Sequence, residues 1–525
     1  MCGILFSSDT GVSKETFAKS FAKIAYRGPD MSKVEPTKLG IFGFHRLAIV
    51  GLDKRGMQPF ASHGITVMCN GELYGYKEMK KEFTDYAFTS ESDCELLIPL
   101  YERYGVKLFE KLDAEFACVL VDETTNSIIA ARDPFGIRGM FYGYHKDSKK
   151  IMFASEAKAL VDMCDSIYPF PPGHYYKDGV FTRYYDVSQA SRYIDLDVDS
   201  ICKQIRKDLV AGVHKRMIAD APVGYLLSGG LDSSLVCSIA AKASATPITT
   251  FAIGMVDDAI DLKYAKEVAN FIGSDHYEVI IDKDDVLNAL PEVIQTLETW
   301  DITTIRASVG MYLLCKWIKD NSDVKVLFTG EISDELLGYK YTDFAPNAIE
   351  FQKEAQKRVR ELYMYDVLRA DRCISSNSLE GRVPFGDLQF ADTIMSIAPE
   401  LKMNHYDMGK YLLRKAFEGD MLPDSILYRD KAAFSDAVGH SLVDVIKEYT
   451  ETLYTDEEMA YKCKQYTHCA PYTKESLYYR EIFDQYYKGH DTLINDYWLP
   501  NQQWEGCATK EPSARVLSNY GKSGE

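Results

Sequence analysis

Two rhythms of apolar and polar positions divide the chain. Up to about residue 185, short apolar runs read as strands: "IFGFHRLAIV", "GITVMCNGE", "FACVLVDE", "SIIAARD" and "KIMFASE". Helical spacing appears in "SKETFAKSFAKIAY" and "SDCELLIPLYERYG". Hairpin-like strand pairs interrupted by helices predict α+β layers, not a βαβ wind. From about residue 200, strand patterns ("APVGYLLS", "ITTFAIG", "HYEVII", "DVKVLFTG") alternate with helical ones ("SSLVCSIAAKA", "DLKYAKEVANFIG", "RASVGMYLLCKWIKD"). That alternation predicts a parallel sheet with helices on both faces, whose ligand pocket lies at the carboxyl ends of the strands. After residue 340 the pattern is mostly helical. The predicted organisation is a first domain over 2–186, a polar connector over 187–200, a second domain over 201–500 and a loose, polar tail over 501–525.

Length and charge narrow the class. A chain of 525 residues exceeds one hydrophobic core. A net charge of -18 argues against a protein that coats nucleic acid, though not against a local basic pocket for small anions. No apolar run is long enough to span a bilayer, and the start of the chain has no basic n-region of a signal peptide. The 12 cysteines are scattered singly without metal-ligand spacing, which predicts reduced thiols and a cytoplasmic setting.

Three places carry candidate chemistry. In "YLLSGGLDSSL" a strand ends and Ser228, Gly229, Gly230, Leu231, Asp232, Ser233 and Ser234 open a helix. Consecutive N–H groups, hydroxyls and a helix N-terminus form an anion nest. A glycine turn with a serine cap would account for part of this pattern, but not for an acid inside it. Asp232 fits once Mg²⁺ on bound phosphates is supplied. The second place, "FTGEISDELLGY", follows another strand at the same sheet edge; Asp334 is a second Mg²⁺ ligand candidate and Glu331 a proton acceptor. The third is "MCGILF". A small residue at position 2 favours removal of the initiator Met, and Cys2 would then carry both a thiol and a free α-amine, a nucleophile with its own base.

These motifs, with "RGPD", "HRLAIV", "NGELY", "SDCELL", "DLKYAKEVAN", "TTIRAS", "RVPF" and "KAAFSDAVG" in order, make the chain resemble the glutamine-hydrolysing asparagine synthetases from Cys2 to about residue 500. The resemblance implies an N-terminal-nucleophile αββα sandwich acting as a class II glutaminase, followed by an ATP-pyrophosphatase-type α/β synthetase domain with a helical C-terminal part. It implies Cys2 as the nucleophile, Arg46, Glu72 and Asp93 around glutamine, and Asn70 with Gly71 as the oxyanion hole. It also implies ATP on Leu227 to Ser234, Ile253 and Gly330, with Asp232 and Asp334 holding Mg²⁺. Lys431 would neutralise phosphate charge, Thr303, Thr304 and Arg306 would contact aspartate or its adenylate, and Glu331 would be the base. Ammonia would travel inside the protein. The partners implied are glutamine, aspartate and ATP, with no nucleic acid or membrane, in a homodimer. "RGPD" reads as a rigid turn without chemistry. The chain departs from the family pattern at Glu91 and Ile332, each where glycine is usual, in the shortened "ELLGYKY", in the alanines of "KAAFSDAVG", and at Gly386 in place of leucine. These departures keep three other readings open: an amide ligase for another acid, a glutaminase with an impaired synthetase half, and a non-catalytic scaffold.

Overall fold

The computed structural model describes residues 1–190, 192–256, 259–404, 408–430, 440–512 and 514–520. Its first half holds two six-stranded antiparallel sheets. The strands are β1 (Gly3–Ser7), β2 (Met31–Pro36), β3 (Ile41–Arg46), β4 (Phe60–Ser62), β5 (Ile65–Leu73), β6 (Ala114–Asp122), β7 (Ser127–Arg132), β8 (Phe141–His145), β9 (Ile151–Ala154), β10 (Cys164–Pro169), β11 (His174–Lys177) and β12 (Val180–Arg183). One sheet runs β10-β8-β9-β1-β3-β2 and the other β12-β11-β7-β6-β5-β4.

Period-two alternation explains how they stack. Ile4, Phe6, Phe42 and Phe44 of the first sheet meet Met68, Ala117, Val119 and Ala130 of the second in one buried layer. The intervening residues face outward. Leu5, Met152 and Ala154 pack with Phe17 and Phe21 of the Lys14–Ala22 helix. Val67, Cys69, Cys118 and Leu120 pack with Leu97, Ile98 and Leu100 of the Leu97–Tyr104 helix. Strands whose neighbours alternate between two apolar layers must be covered on both faces. The result is the expected αββα sandwich.

The second half contains a five-stranded parallel sheet in the order β15-β14-β13-β16-β17, built from β13 (Val223–Leu226), β14 (Thr249–Met255), β15 (Asp275–Ile281), β16 (Val326–Phe328) and β17 (Glu380–Arg382). The Leu231–Ala243, Ile260–Ile272 and Ile302–Asn321 helices connect its strands, and mostly helical chain follows residue 333. No helix among the described residues is long and apolar enough to cross a membrane.

Apolar clusters run across both halves. Phe135 and Ile137 share one with Ile332, Phe385 and Phe390. Buried charges cross there too. Arg27 of "RGPD" has no exposed surface and reaches Glu156 at 2.6 Å and Asp371 at 3.0 Å, while its Nε donates to the Cys2 carbonyl at 3.0 Å. The turn read as chemically idle is therefore an interdomain anchor. Arg27→Ala would leave Glu156 and Asp371 short of a buried partner, so the folded state should lose about 3–5 kcal/mol, read as a lowered denaturation midpoint.

The described part of the 501–520 stretch departs from the loose tail expected. Trp504, Cys507 and Leu517 are buried against Tyr341, Ala345 and Phe351. Three apolar residues scattered among polar ones give no periodic signal, yet each finds a place in an aromatic cluster.

Candidate functional site

The first site is built where β1, β3 and β5 meet the second half. β1 and β3 pair with Gly3 opposite His45, so Cys2 emerges beside the end of β3. The Cys2 backbone N–H donates to Asn70 Oδ1 at 2.8 Å, and its Sγ lies 3.7 Å from the Leu47 carbonyl. Asn70 is buried, and its Nδ2 has no hydrogen-bond partner among the described residues. A buried amide donor left unpaired costs free energy unless something is meant to receive it. Burial pushes the Cys2 thiol up to about 11, so in this state the sulfur is protonated at neutral pH and needs a base.

The other expected glutamine residues gather nearby. Asp93 Oδ2 accepts from the Leu73 N–H at 2.8 Å at the end of β5, and burial raises its carboxyl above the usual range. Glu72 is buried too, and burial raises it strongly, opposed by Arg382 of β17 at 3.1 Å. Arg46 is buried with its guanidinium on loop carbonyls: Nη1 donates to Asp53 O at 2.6 Å, and Nη2 to Gly51 O. Gly71 follows Asn70 within β5.

The second site is a cavity of about 470 Å³ at the carboxyl ends of β13, β14 and β16. Leu227, Ser228, Gly230, Asp232, Ser233, Ile253, Thr303, Arg306, Gly330, Glu331 and Asp334 line it. Gly229, within the loop, has φ +72°, and a Cβ there would meet the Ala265 N at 2.5 Å, so only glycine fits this turn against the Ile260–Ile272 helix. Ser228 and Ser233 hydroxyls lie 3.0 Å apart at the mouth of the nest.

Three expected residues are placed differently. Thr304 donates its N–H and hydroxyl to Asp301 Oδ2 at 2.8 and 2.7 Å, a helix cap rather than a cavity wall. Ser234 is fully buried behind the loop. Arg306 lines the cavity, but its guanidinium is bidentate to Glu475 at 2.8 and 2.6 Å and reaches Glu511 at 2.7 Å. All three of its nitrogens thus already donate to protein carboxylates. Lys431 lies outside the described residues.

Sequence reading missed Lys410. Its ammonium sits 2.8 Å from Asp232 and 2.6 Å from Asp334, and donates to Ser333 Oγ at 2.9 Å. Ser333 in turn donates to Asp232 Oδ1 at 2.7 Å. Two carboxylates therefore converge on one cationic position beside the phosphate nest. Arg369 was also missed; it pairs with Glu331 at 2.6 Å. Arg429 donates to the Gly229 carbonyl at 3.0 Å and to Asp261 at 2.8 Å, tying the nest to the Ile260–Ile272 helix. Neither Lys410 nor Arg369 belongs to a compact local motif, so spacing could not reveal them.

Ile332 stands out in the backbone. It has φ +80° and is buried, a costly conformation for a β-branched residue, of order 1–3 kcal/mol. The segment it interrupts carries Glu331 and Asp334, two of the acids of the second site.

Comparison with known proteins fits this two-site layout. A glutamine amidotransferase domain model matches residues 1–173, and an asparagine synthase model matches residues 204–350 and 344–511. The chain is 39% identical over 555 residues to a probable asparagine synthetase [glutamine-hydrolyzing] of Acanthamoeba polyphaga mimivirus, covering 98% of this chain and 100% of that one. It is 38% identical over 565 residues to the asparagine synthetase [glutamine-hydrolyzing] of Homo sapiens, covering 99% of both. Against asparagine synthetase [glutamine-hydrolyzing] 1 of Saccharomyces cerevisiae it is 39% identical over 578 residues, covering 99% of this chain and 100% of the relative. With matches of this kind along nearly its whole length, the chain belongs to the glutamine-hydrolysing asparagine synthetase family.

Proposed function

We propose that the chain makes asparagine from aspartate, ATP and glutamine, with residues 2–186 releasing ammonia and residues 201–500 activating aspartate. The observation that carries this reading is the position of β17. Its Arg382 pairs with Glu72 of the first site at 3.1 Å. In the sheet, β17 lies beside β16, which runs straight into Gly330 and Glu331 of the second site. One short strand thus ties the first site to the strand that leads into the second.

At the first site, Met1 is removed and the Cys2 amine, held by Asn70 Oδ1, accepts the thiol proton. The sulfur attacks the side-chain amide carbon of glutamine. Asn70 Nδ2 and the Gly71 N–H receive the oxyanion, the use that the unpaired Nδ2 lacks in the free protein. The amine returns the proton to the departing ammonia, and water hydrolyses the thioester to glutamate. Arg46 faces the glutamine α-carboxylate, and Glu72 and Asp93 its ammonium. Asn70→Ala should lower glutaminase kcat by about 10²–10³-fold and leave ammonia-dependent synthesis unchanged; steady-state assays with each nitrogen source check this.

At the second site, the loop from Leu227 to Ser233 with Gly330 cradles the ATP phosphates, and Ile253 sits beside the nucleotide. The aspartate side-chain carboxylate attacks the α-phosphorus and pyrophosphate leaves. Asp232 and Asp334 fit Mg²⁺, because both already converge on the single positive charge of Lys410. When bound, the ion would neutralise charge on the pyrophosphate, with Lys410 and Lys431 as further positive groups. Thr303 faces aspartate, and Arg306 stays on Glu475 and Glu511 at the same wall. Ammonia, kept inside the protein, attacks the acyl carbon of the adenylate; Glu331 takes the surplus proton and AMP leaves.

A product assay tests the whole reading. With glutamine, aspartate, ATP and Mg²⁺, glutamate, asparagine, AMP and pyrophosphate should form in near-equal amounts. Glutamate without AMP would overturn the synthetase assignment.

A further inference from the structure

We propose that Ile332 is a positioning residue for the ligase step, and that its side chain and the missing side chain of Gly386 form one complementary pair that holds the Glu331–Asp334 turn. Ile332 sits at the start of the Ser333–Leu337 helix with φ +80°. A β-branched residue stays in that conformation only where its surroundings over-determine it. Here they do. Ile332 is 1% exposed. A Cβ built on Gly386 would lie 3.0 Å from Ile332 Cδ1 and 2.9 Å from Ile137 Cδ1. The isoleucine tip therefore occupies the space beside a glycine that has no side chain, next to a residue of the glutaminase half. Phe135 of the same half lies 3.8 Å from the same point.

The turn on either side of Ile332 carries polar contacts that must be held in register. Glu331 pairs with Arg369, Ser333 donates to Asp232, and Asp334 pairs with Lys410. To these polar contacts the isoleucine tip adds packing on the Gly386 side, which Ile137 and Phe135 of the first half fill. The packing of the first half on Gly386 thus helps to set where Glu331 and Asp334 stand.

The inference rests on the assignment of those two acids to the ligase site. The parent enzyme tests that assignment separately: without pyrophosphate release by the parent, the site reading fails, and the pair is not the cause. With an active parent, the experiment is a double-mutant cycle on the full chain. Ile332→Gly removes the tip but suits φ +80°. Gly386→Leu fills the gap from the other side and collides with Ile332. Each should lower ammonia-dependent kcat at least fivefold. The KM for ATP should change less than kcat, since neither substitution lies in the Ser228–Ser233 loop. Glutaminase kcat/KM should stay within twofold. The double variant, close to the parent in volume, should exceed both single variants.

A double variant no better than the worse single one overturns the pairing, as does an Ile332→Gly enzyme within twofold of the parent. A loss shared equally by both activities and tracking the melting midpoint marks a folding defect and also overturns it. Should Gly386→Leu fail to fold, Ile137→Ala takes its place. It opens the gap from the glutaminase half and should lower ammonia-dependent kcat while sparing glutaminase; unchanged kcat overturns the proposal.

Discussion

Cys2→Ala should abolish glutamine-dependent asparagine formation, by about four orders of magnitude or more, and leave ammonia-dependent formation within twofold. The size follows from losing the nucleophile itself, whose removal costs about as much as removing the whole unit that acts with it. The selectivity follows from geometry. The Cys2 sulfur lies 3.7 Å from the Leu47 carbonyl, and the backbone of Cys2 carries its structural contacts: the N–H to Asn70 and the carbonyl to Arg27, whose guanidinium reaches Asp371 of the second half. Alanine keeps both. The small side chain also keeps position 2 compatible with Met removal. Loss of ammonia-dependent synthesis in this variant would show that the second site depends on the Cys2 thiol and would break the two-site account. Residual glutamine-dependent synthesis above about one part in 10³ would place the nucleophile elsewhere.

How far these sites could be read from sequence differs by residue, for physical reasons. The α+β layering was legible in the short strand runs and their helical interruptions, while the sandwich came with the resemblance; the structure gives its basis, since Ile4 and Phe6 go to one layer and Leu5 to the other, and the same alternation recurs through β5, β6 and β7. The phosphate loop was legible because a single run of residues makes the whole nest. By contrast, β17 is only "EGR", with a charge at each end, and no strand pattern announces it. It is a strand because Glu380 and Arg382 pair with each other at 3.1 Å and with buried partners from the first half. Lys410 was hidden for a similar reason: its partner Asp232 lies 178 residues away, and the link exists only after folding. Arg27 looked like part of a turn because its acceptors, Glu156 and Asp371, are equally remote. Local chemistry can be read from spacing; a buried ion pair across an interface cannot.

Ile332 is an instructive middle case. Its departure from the family pattern is visible in sequence and suggested an impaired loop. The structure shows a different consequence. The turn keeps its positive φ, Glu331 and Asp334 remain on the cavity wall, and the added side chain has somewhere to go. The strained turn is thus compatible with a working ligase site, and the likeness along nearly the full chain argues in the same direction.

Asp232→Asn should stop pyrophosphate release, by about 10³-fold or more, with glutaminase activity retained within twofold. The amide preserves the shape of the side chain and can still accept from Ser333, so the loop keeps its fold. What changes is charge. Asp232 and Asp334 together face the Lys410 ammonium, and two carboxylates converging on one position suit a divalent ion once phosphates arrive. With asparagine that position carries one negative charge fewer. The ion then binds more weakly, and several kcal/mol of charge stabilisation on the departing pyrophosphate goes with it, which is about three decades in rate. Two measurements separate this from a mere loss of Lys410's anchor. The dependence of rate on Mg²⁺ concentration should shift to higher concentrations in Asp232→Asn. In Lys410→Met, which removes the ammonium and spares both acids, the rate should fall while that dependence stays in place or moves to lower concentrations. If Asp232→Asn instead releases pyrophosphate near the parent rate with an unchanged Mg²⁺ dependence, Asp232 serves only to hold the lysine, and the metal site must be sought elsewhere in the cavity.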